Sequence, residues 1–174
     1  RSQDGLDVWN WVTDHAAELG IEQTKIGMGG DSAGGNLTAV LSMQTFADLL
    51  DGDLSVAPAF QFLLYPWVNM SGESDSIQRF GKGLILTQET MTFFRDAYLP
   101  KALEPQAIKT SPMLCEDMSS TPDTLIVTAE YDVLRDEGLA FVAKLQQAQV
   151  SVSHIHLPDC THGFISTGRF SPAT

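Results

Sequence analysis

The chain is 174 residues long, 43% hydrophobic, with a formal net charge of −12, enough for one globular domain with a buried core. No run approaches the ~18 consecutive apolar residues of a membrane span, and the acidic balance without a basic patch excludes a nucleic-acid role. Two cysteines, Cys115 and Cys160, imply no disulfide framework and fit a reducing, cytoplasmic compartment. Both read as structural rather than reactive. The chain opens at Arg1 without Met, so the lack of a signal-peptide pattern carries no weight against secretion.

The first predicted element is an amphipathic helix. Leu6, Trp9, Val12, Ala16 and Leu19 recur at helical spacing, and Gly20 stands where a C-cap belongs. Residues 25–29 (KIGMG) read as a short buried strand running into a glycine-rich turn. Residues 33–50 are helical again, with Leu37, Val40, Leu41 and Phe46 as the apolar face. Residues 59–65 (AFQFLLY) are an apolar run of strand length closed by Pro66. Residues 69–111 break the rhythm. Residues 71–83 are polar and glycine-bearing, 87–98 pattern as a helix with Met91, Phe94 and Tyr98 on one side, and Pro100 and Pro105 follow. A connection of this length between strands marks an inserted functional segment or lid.

Residues 124–129 (TLIVTA) form the third clear strand. A helix started by Asp136 follows, with Leu139, Val142 and Leu145 inward. Residues 150–157 form the last strand, and 160–164 the loop after it. The order α-β-α-β-insert-β-α-β predicts a single α/β domain, mostly parallel sheet flanked by helices, with the insert over about 69–111.

Gly30-Asp31-Ser32-Ala33-Gly34 fits G-x-S-x-G, with a strand before it and a helix after. A serine on so tight a turn is held in a strained backbone conformation that lifts its hydroxyl clear of the sheet. Gly30 and Gly34 remove Cβ atoms that would clash as strand and helix close up. The helix N-terminus faces the site, so the N–H of Ala33 is an oxyanion donor. The competing reading, a phosphate-binding glycine turn, lacks the lysine that a P-loop requires.

A serine hydroxyl needs a general base, and the base needs an orienting carboxylate. Of four histidines, His15 lies in the first helix and His154 and His156 within the last strand. His162 alone sits just past the C-terminal end of a strand, the edge where open parallel sheets build their sites, beside the permissive Gly163. At the same edge of the preceding strand stand Glu130, Asp132 and Asp136. Asp136 reads as a helix cap, Asp132 as the acid, and Glu130 as the alternative acid. The chain order Ser32, Asp132, His162 is that of α/β-hydrolases.

The stretch 29–37 (GGDSAGGNL) closely resembles the nucleophile block of the hormone-sensitive-lipase-like esterases, also called family IV esterases. Leu64-Tyr65-Pro66, Ser111-Pro112, residues 129–138 (AEYDVLRDEG) and His162-Gly163-Phe164 look like that family's later landmarks in the same order. The resemblance implies a serine carboxylester hydrolase of the α/β-hydrolase fold, with Asp132 as the triad acid, residues 69–111 as part of a cap, and no metal or organic cofactor. It favours short to medium acyl esters, with Leu86, Phe93, Phe94 and Phe164 as pocket walls (ordinary core is the competing reading), and a possible homodimer. The family's His-Gly-Gly-Gly segment, its first strands and its C-terminal helix have no counterpart here. The resemblance thus implies a chain cut at both ends, poorly stable and weakly active alone. The reading from another class is a catalytically silent small-ligand binding module.

Overall fold

The computed structural model describes residues 2–51, 56–99 and 107–167. Four strands, β1 (Met28–Asp31), β2 (Phe60–Leu64), β3 (Asp123–Tyr131) and β4 (Val152–Thr161), form one sheet in the order β1-β2-β3-β4. Every pairing is parallel, so each connection must cross over, and helices supply the crossovers. These are α2 (Ala33–Asp51), α3 (Asp75–Phe80), α4 (Gln88–Tyr98) and α5 (Arg135–Gln147); α1 (Ser2–Asp14) precedes β1 and the short α6 (Phe164–Thr167) follows β4.

Alternation along the strands separates two faces. Leu63 and Ile126 point to the side covered by α2 and α5, where they pack with Ala39, Phe141, Val142 and Leu145. The opposite side carries Leu64, Tyr65 and Val127, with Phe62, Leu157 and Phe164 packed against them. Here Ile155 remains half exposed. Among the described residues, no helix is long and apolar enough to cross a membrane.

The expected order of elements is the observed one, with local differences. Lys25 lies in a 3₁₀ turn (Gln23–Lys25) and the strand starts only at Met28. The polar stretch before residue 83 holds α3, capped by the Ser74 hydroxyl, which accepts from the N–H of Ile77. Polar residues hid it because only Ser76 and Ile77 are buried. In α4 Met91 is buried but Phe94 faces solvent, and in α5 Phe141 takes the inward place expected for Leu139. Asp136 does not cap its own helix. Leu134 holds the N-cap position, and Asp136 instead accepts from the N–H of Ser76 in α3. Pro100 and Pro105 fall outside the described residues.

The last strand runs on to Thr161, so Cys160 belongs to β4 and not to a loop. The ladder is irregular near its end: Ala129 pairs with Leu157, but Tyr131 pairs with Thr161.

Residues 69–111 are more than a connection. Met70, Ile77, Leu86 and Met91 pack with Trp67 and with Val133 and Leu134, the two residues after Asp132.

Candidate active site

The site gathers at the C-terminal ends of the strands. Ser32 follows β1 and has φ 52°, a left-handed conformation that a non-glycine residue adopts only where the surroundings enforce it. Two backbone bonds enforce it: the Ser32 N–H donates to Leu64 O at 2.9 Å, and the Trp67 N–H donates to Ser32 O at 3.2 Å. A Cβ on Gly30 would lie 2.5 Å from the carbonyl carbon and oxygen of Gly34, so this glycine permits the turn. Gly34 itself has room for a side chain. The second close approach is at Gly35, whose Cβ would meet Pro66 at 2.9 Å. Ala33 is the first residue of α2, so its N–H lacks an intrahelical acceptor.

His162 follows β4, and Gly163 beside it has φ 75°. Its Nε2 lies 2.9 Å from Ser32 Oγ and its Nδ1 2.8 Å from Asp132 Oδ2. Asp132 is 1% exposed and His162 8%. A carboxylate only accepts hydrogen bonds, so Nδ1 carries the ring proton and Nε2 is left to accept from the serine hydroxyl. The other oxygen of Asp132 accepts from the Leu134 N–H at 2.9 Å, tying the acid to the first turn of α5.

Glu130, the alternative acid, is engaged elsewhere. It accepts from Arg135 at 2.7 Å and lies 3.1 Å from His156 Nε2. His156 and His154 both contact Thr128 Oγ1 at 2.9 Å. One hydroxyl proton can serve only one imidazole, so the other ring must donate. Burial, and then the neighbouring His156, push His154 below the usual histidine range. His15 stacks on Trp11 in and just after α1, and its Nδ1 lies 2.8 Å from the Trp11 carbonyl oxygen. Both cysteines are free thiols, and among the described residues no three His, Cys, Asp or Glu side chains could hold a metal ion.

Tyr65 had no assigned role beyond its place in the Leu-Tyr-Pro landmark. Its ring lies 4.7 Å from the His162 ring and 5.0 Å from Phe164, and its hydroxyl donates to Asp31 Oδ2 at 3.3 Å. Burial, and then the Asp31 charge, push its pKa up to about 12. Its φ of 34° is a second strained backbone, and the visible signal was an aromatic residue before proline at a strand end. Of the expected pocket walls, Phe164 stands by the site and Leu86 belongs to the packed cluster of residues 69–111. Phe93 and Phe94 project from α4 into solvent.

Residues 1–166 match the family model described as alpha/beta hydrolase fold. The chain is 34% identical over 167 residues to an ethyl acetate hydrolase of Pseudomonas putida, covering 96% of this chain and 51% of that protein. It is 33% identical over 170 residues to an arylesterase of Saccharolobus solfataricus, covering 92% and 51%. Among solved structures it superposes on an ester hydrolase from the metagenome of Lake Arreo with a TM-score of 0.88 and 35% identity. That match covers 97% of this chain and 52% of that one. The chain spans about half the length of the curated relatives it matches. Parallel strands with helical crossovers, the strained serine turn and these likenesses agree: the chain belongs to the α/β-hydrolase fold family, among the hormone-sensitive-lipase-like esterases that its sequence resembles.

Proposed function

We propose that this protein hydrolyses carboxylic esters of short to medium acyl chains through an acyl-serine intermediate on Ser32. The observation that carries the reading is the continuous contact from Ser32 Oγ through His162 to Asp132. Ser32 Oγ attacks the ester carbonyl while His162 Nε2 takes its proton. Asp132 holds the imidazole in the competent tautomer and balances the imidazolium charge. His162 then returns the proton to the departing alcohol. Water attacks the acyl-serine, His162 again accepts the proton, and the acid leaves with Ser32 restored.

The N–H of Ala33 supplies one donor to the oxyanion; one such donor is worth about 2.7–4 kcal/mol in the transition state. Residues 69–111 act as part of a cap beside the acid. Two free thiols support a reducing compartment as the working location. Small esters are the partners that this chemistry needs.

The test uses protein expressed from its full reading frame, with p-nitrophenyl acetate, butyrate and octanoate as substrates. Ser32→Ala is expected to lower turnover by at least about 10³-fold and to abolish labelling by a serine-directed phosphonate. Equal turnover in the two proteins, or no turnover and no labelling in either, overturns the esterase reading and leaves a ligand-binding module.

A further inference from the structure

Two buried side chains sit outside the Ser32–His162–Asp132 contacts, one on each of the helices that follow Ser32 and Asp132. Glu137 lies in the first turn of α5, three residues after the N-cap position Leu134. A glutamate there commonly reaches back to the N–H of its own N-cap residue. In this chain Asp132 Oδ1 already accepts from the Leu134 N–H. Glu137 reaches outward instead, and its Oε1 accepts from the N–H groups of Val68 at 2.6 Å and Asn69 at 3.0 Å.

Asn36 stands one turn after Ser32 in α2 and is 2% exposed. Its Nδ2 donates to Trp67 O at 2.6 Å and to Thr110 O at 2.8 Å. These two carbonyls stand at opposite ends of the 69–111 excursion, Trp67 just before it and Thr110 at its close. The ends are also tied to each other: the Met70 N–H donates to Ser111 Oγ at 2.8 Å, and the Met113 N–H to Val68 O at 3.0 Å. The base of the excursion is thereby fixed to the helix after the serine and to the helix after the acid.

What this base supports faces a hollow of about 140 Å³. Trp67, Asn69 and Met70 contribute from the base, Ile77 from α3, and Met91 and Arg95 from α4. Trp67 also bonds the carbonyl of Ser32 through its own N–H. A shift of the base therefore moves the floor of this hollow against its α4 wall, one residue contact away from the serine. Burial pushes the Glu137 carboxyl well above the usual carboxylate range, and the amide oxygen of glutamine can accept from the same two backbone N–H groups.

We propose that Glu137, with Asn36 and Ser111, is a positioning residue that sets acyl-chain selectivity at the Ser32 site by clamping the base of residues 69–111. This rests on the esterase reading above.

The experiment compares wild type with Glu137→Leu, Glu137→Gln and Ser111→Ala, each expressed from the full reading frame. KM and kcat are measured for p-nitrophenyl acetate and octanoate. Glu137→Leu and Ser111→Ala should change the octanoate-to-acetate ratio of kcat/KM by at least about fivefold, mainly through KM, and Glu137→Gln should restore the wild-type ratio. Ser111→Ala takes the acceptor from the Met70 N–H and leaves Glu137 in place, so it keeps the test alive if Glu137→Leu does not fold. Equal losses on both substrates, in step with lost thermal stability, overturn the clamp as a selectivity device. So does an unchanged ratio in Ser111→Ala. If wild type itself shows no Ser32-dependent hydrolysis, the esterase reading fails first, and the two failures are told apart.

Discussion

At the scale of single residues, two strained backbones stand side by side. Ser32 and Tyr65 both hold positive φ, and each is pinned by a strand-end hydrogen bond, Ser32 N–H to Leu64 O and Tyr65 N–H to Val127 O. Strain of this kind costs about 1–3 kcal/mol per residue and persists because neighbours enforce it. Tyr65 repays it by bracing the His162 ring while its hydroxyl stays on Asp31. A tyrosine whose pKa rises to about 12 on folding, above the ordinary 10, holds its proton more tightly in the native state. Its contribution is therefore complete below pH 10 and lost as pH rises through 12. Tyr65→Phe should lower stability at pH 7 by about 1 kcal/mol. It should also lose less further stability than wild type between pH 10 and 12, as read from thermal melts across that range. A parallel alkaline decline in both proteins would show that the hydroxyl carries no such linkage.

At the scale of elements, the serine turn was legible because its parts are local: a short strand, glycines and an apolar-faced helix in sequence. Which glycine matters was not legible, since that depends on how closely strand and helix approach. Gly30 faces backbone at 2.5 Å, whereas Gly34 has open space. Gly30→Ala should destabilise by about 1–3 kcal/mol through overpacking. Gly34→Ala, inside α2 and without a clash, should stabilise by about 0.5–1 kcal/mol. Urea midpoints for the two variants decide it, and a reversed order would mean that the turn is not packed as described. The helix α3 escaped the periodicity reading for a related reason. Six residues give too little pattern, and what anchors it is Asp136 from α5, sixty positions away. The choice between Glu130 and Asp132 likewise depended on Arg135 and His156, which claim Glu130 through contacts that sequence spacing does not display.

At the scale of the whole molecule, the two sides of the sheet are unequal. The side with α2 and α5 buries Leu63, Ile126, Phe141 and Leu145 completely. The other side leaves Ile155 49% exposed on β4. An exposed apolar residue on an edge strand invites association. Ile155→Thr keeps a β-branched residue in the strand and should shift stability by no more than about 0.5 kcal/mol. It should reduce binding of a hydrophobic dye and concentration-dependent association by light scattering. Unchanged dye binding would locate the apolar surface elsewhere.

The irregular ladder between β3 and β4 governs which side chain meets the acid. Through Ala129 and Leu157 the partners are offset by 28 positions, and at Tyr131 and Thr161, where both strands end, by 30. Had the first offset continued, Cys160 would stand level with Asp132; the two surplus residues of β4 bring His162 there instead. The count of residues between acid and histidine is thus a poor measure of their alignment. Because side chains alternate faces along a strand, length here can change in twos, while a single added residue would turn the histidine to the wrong side.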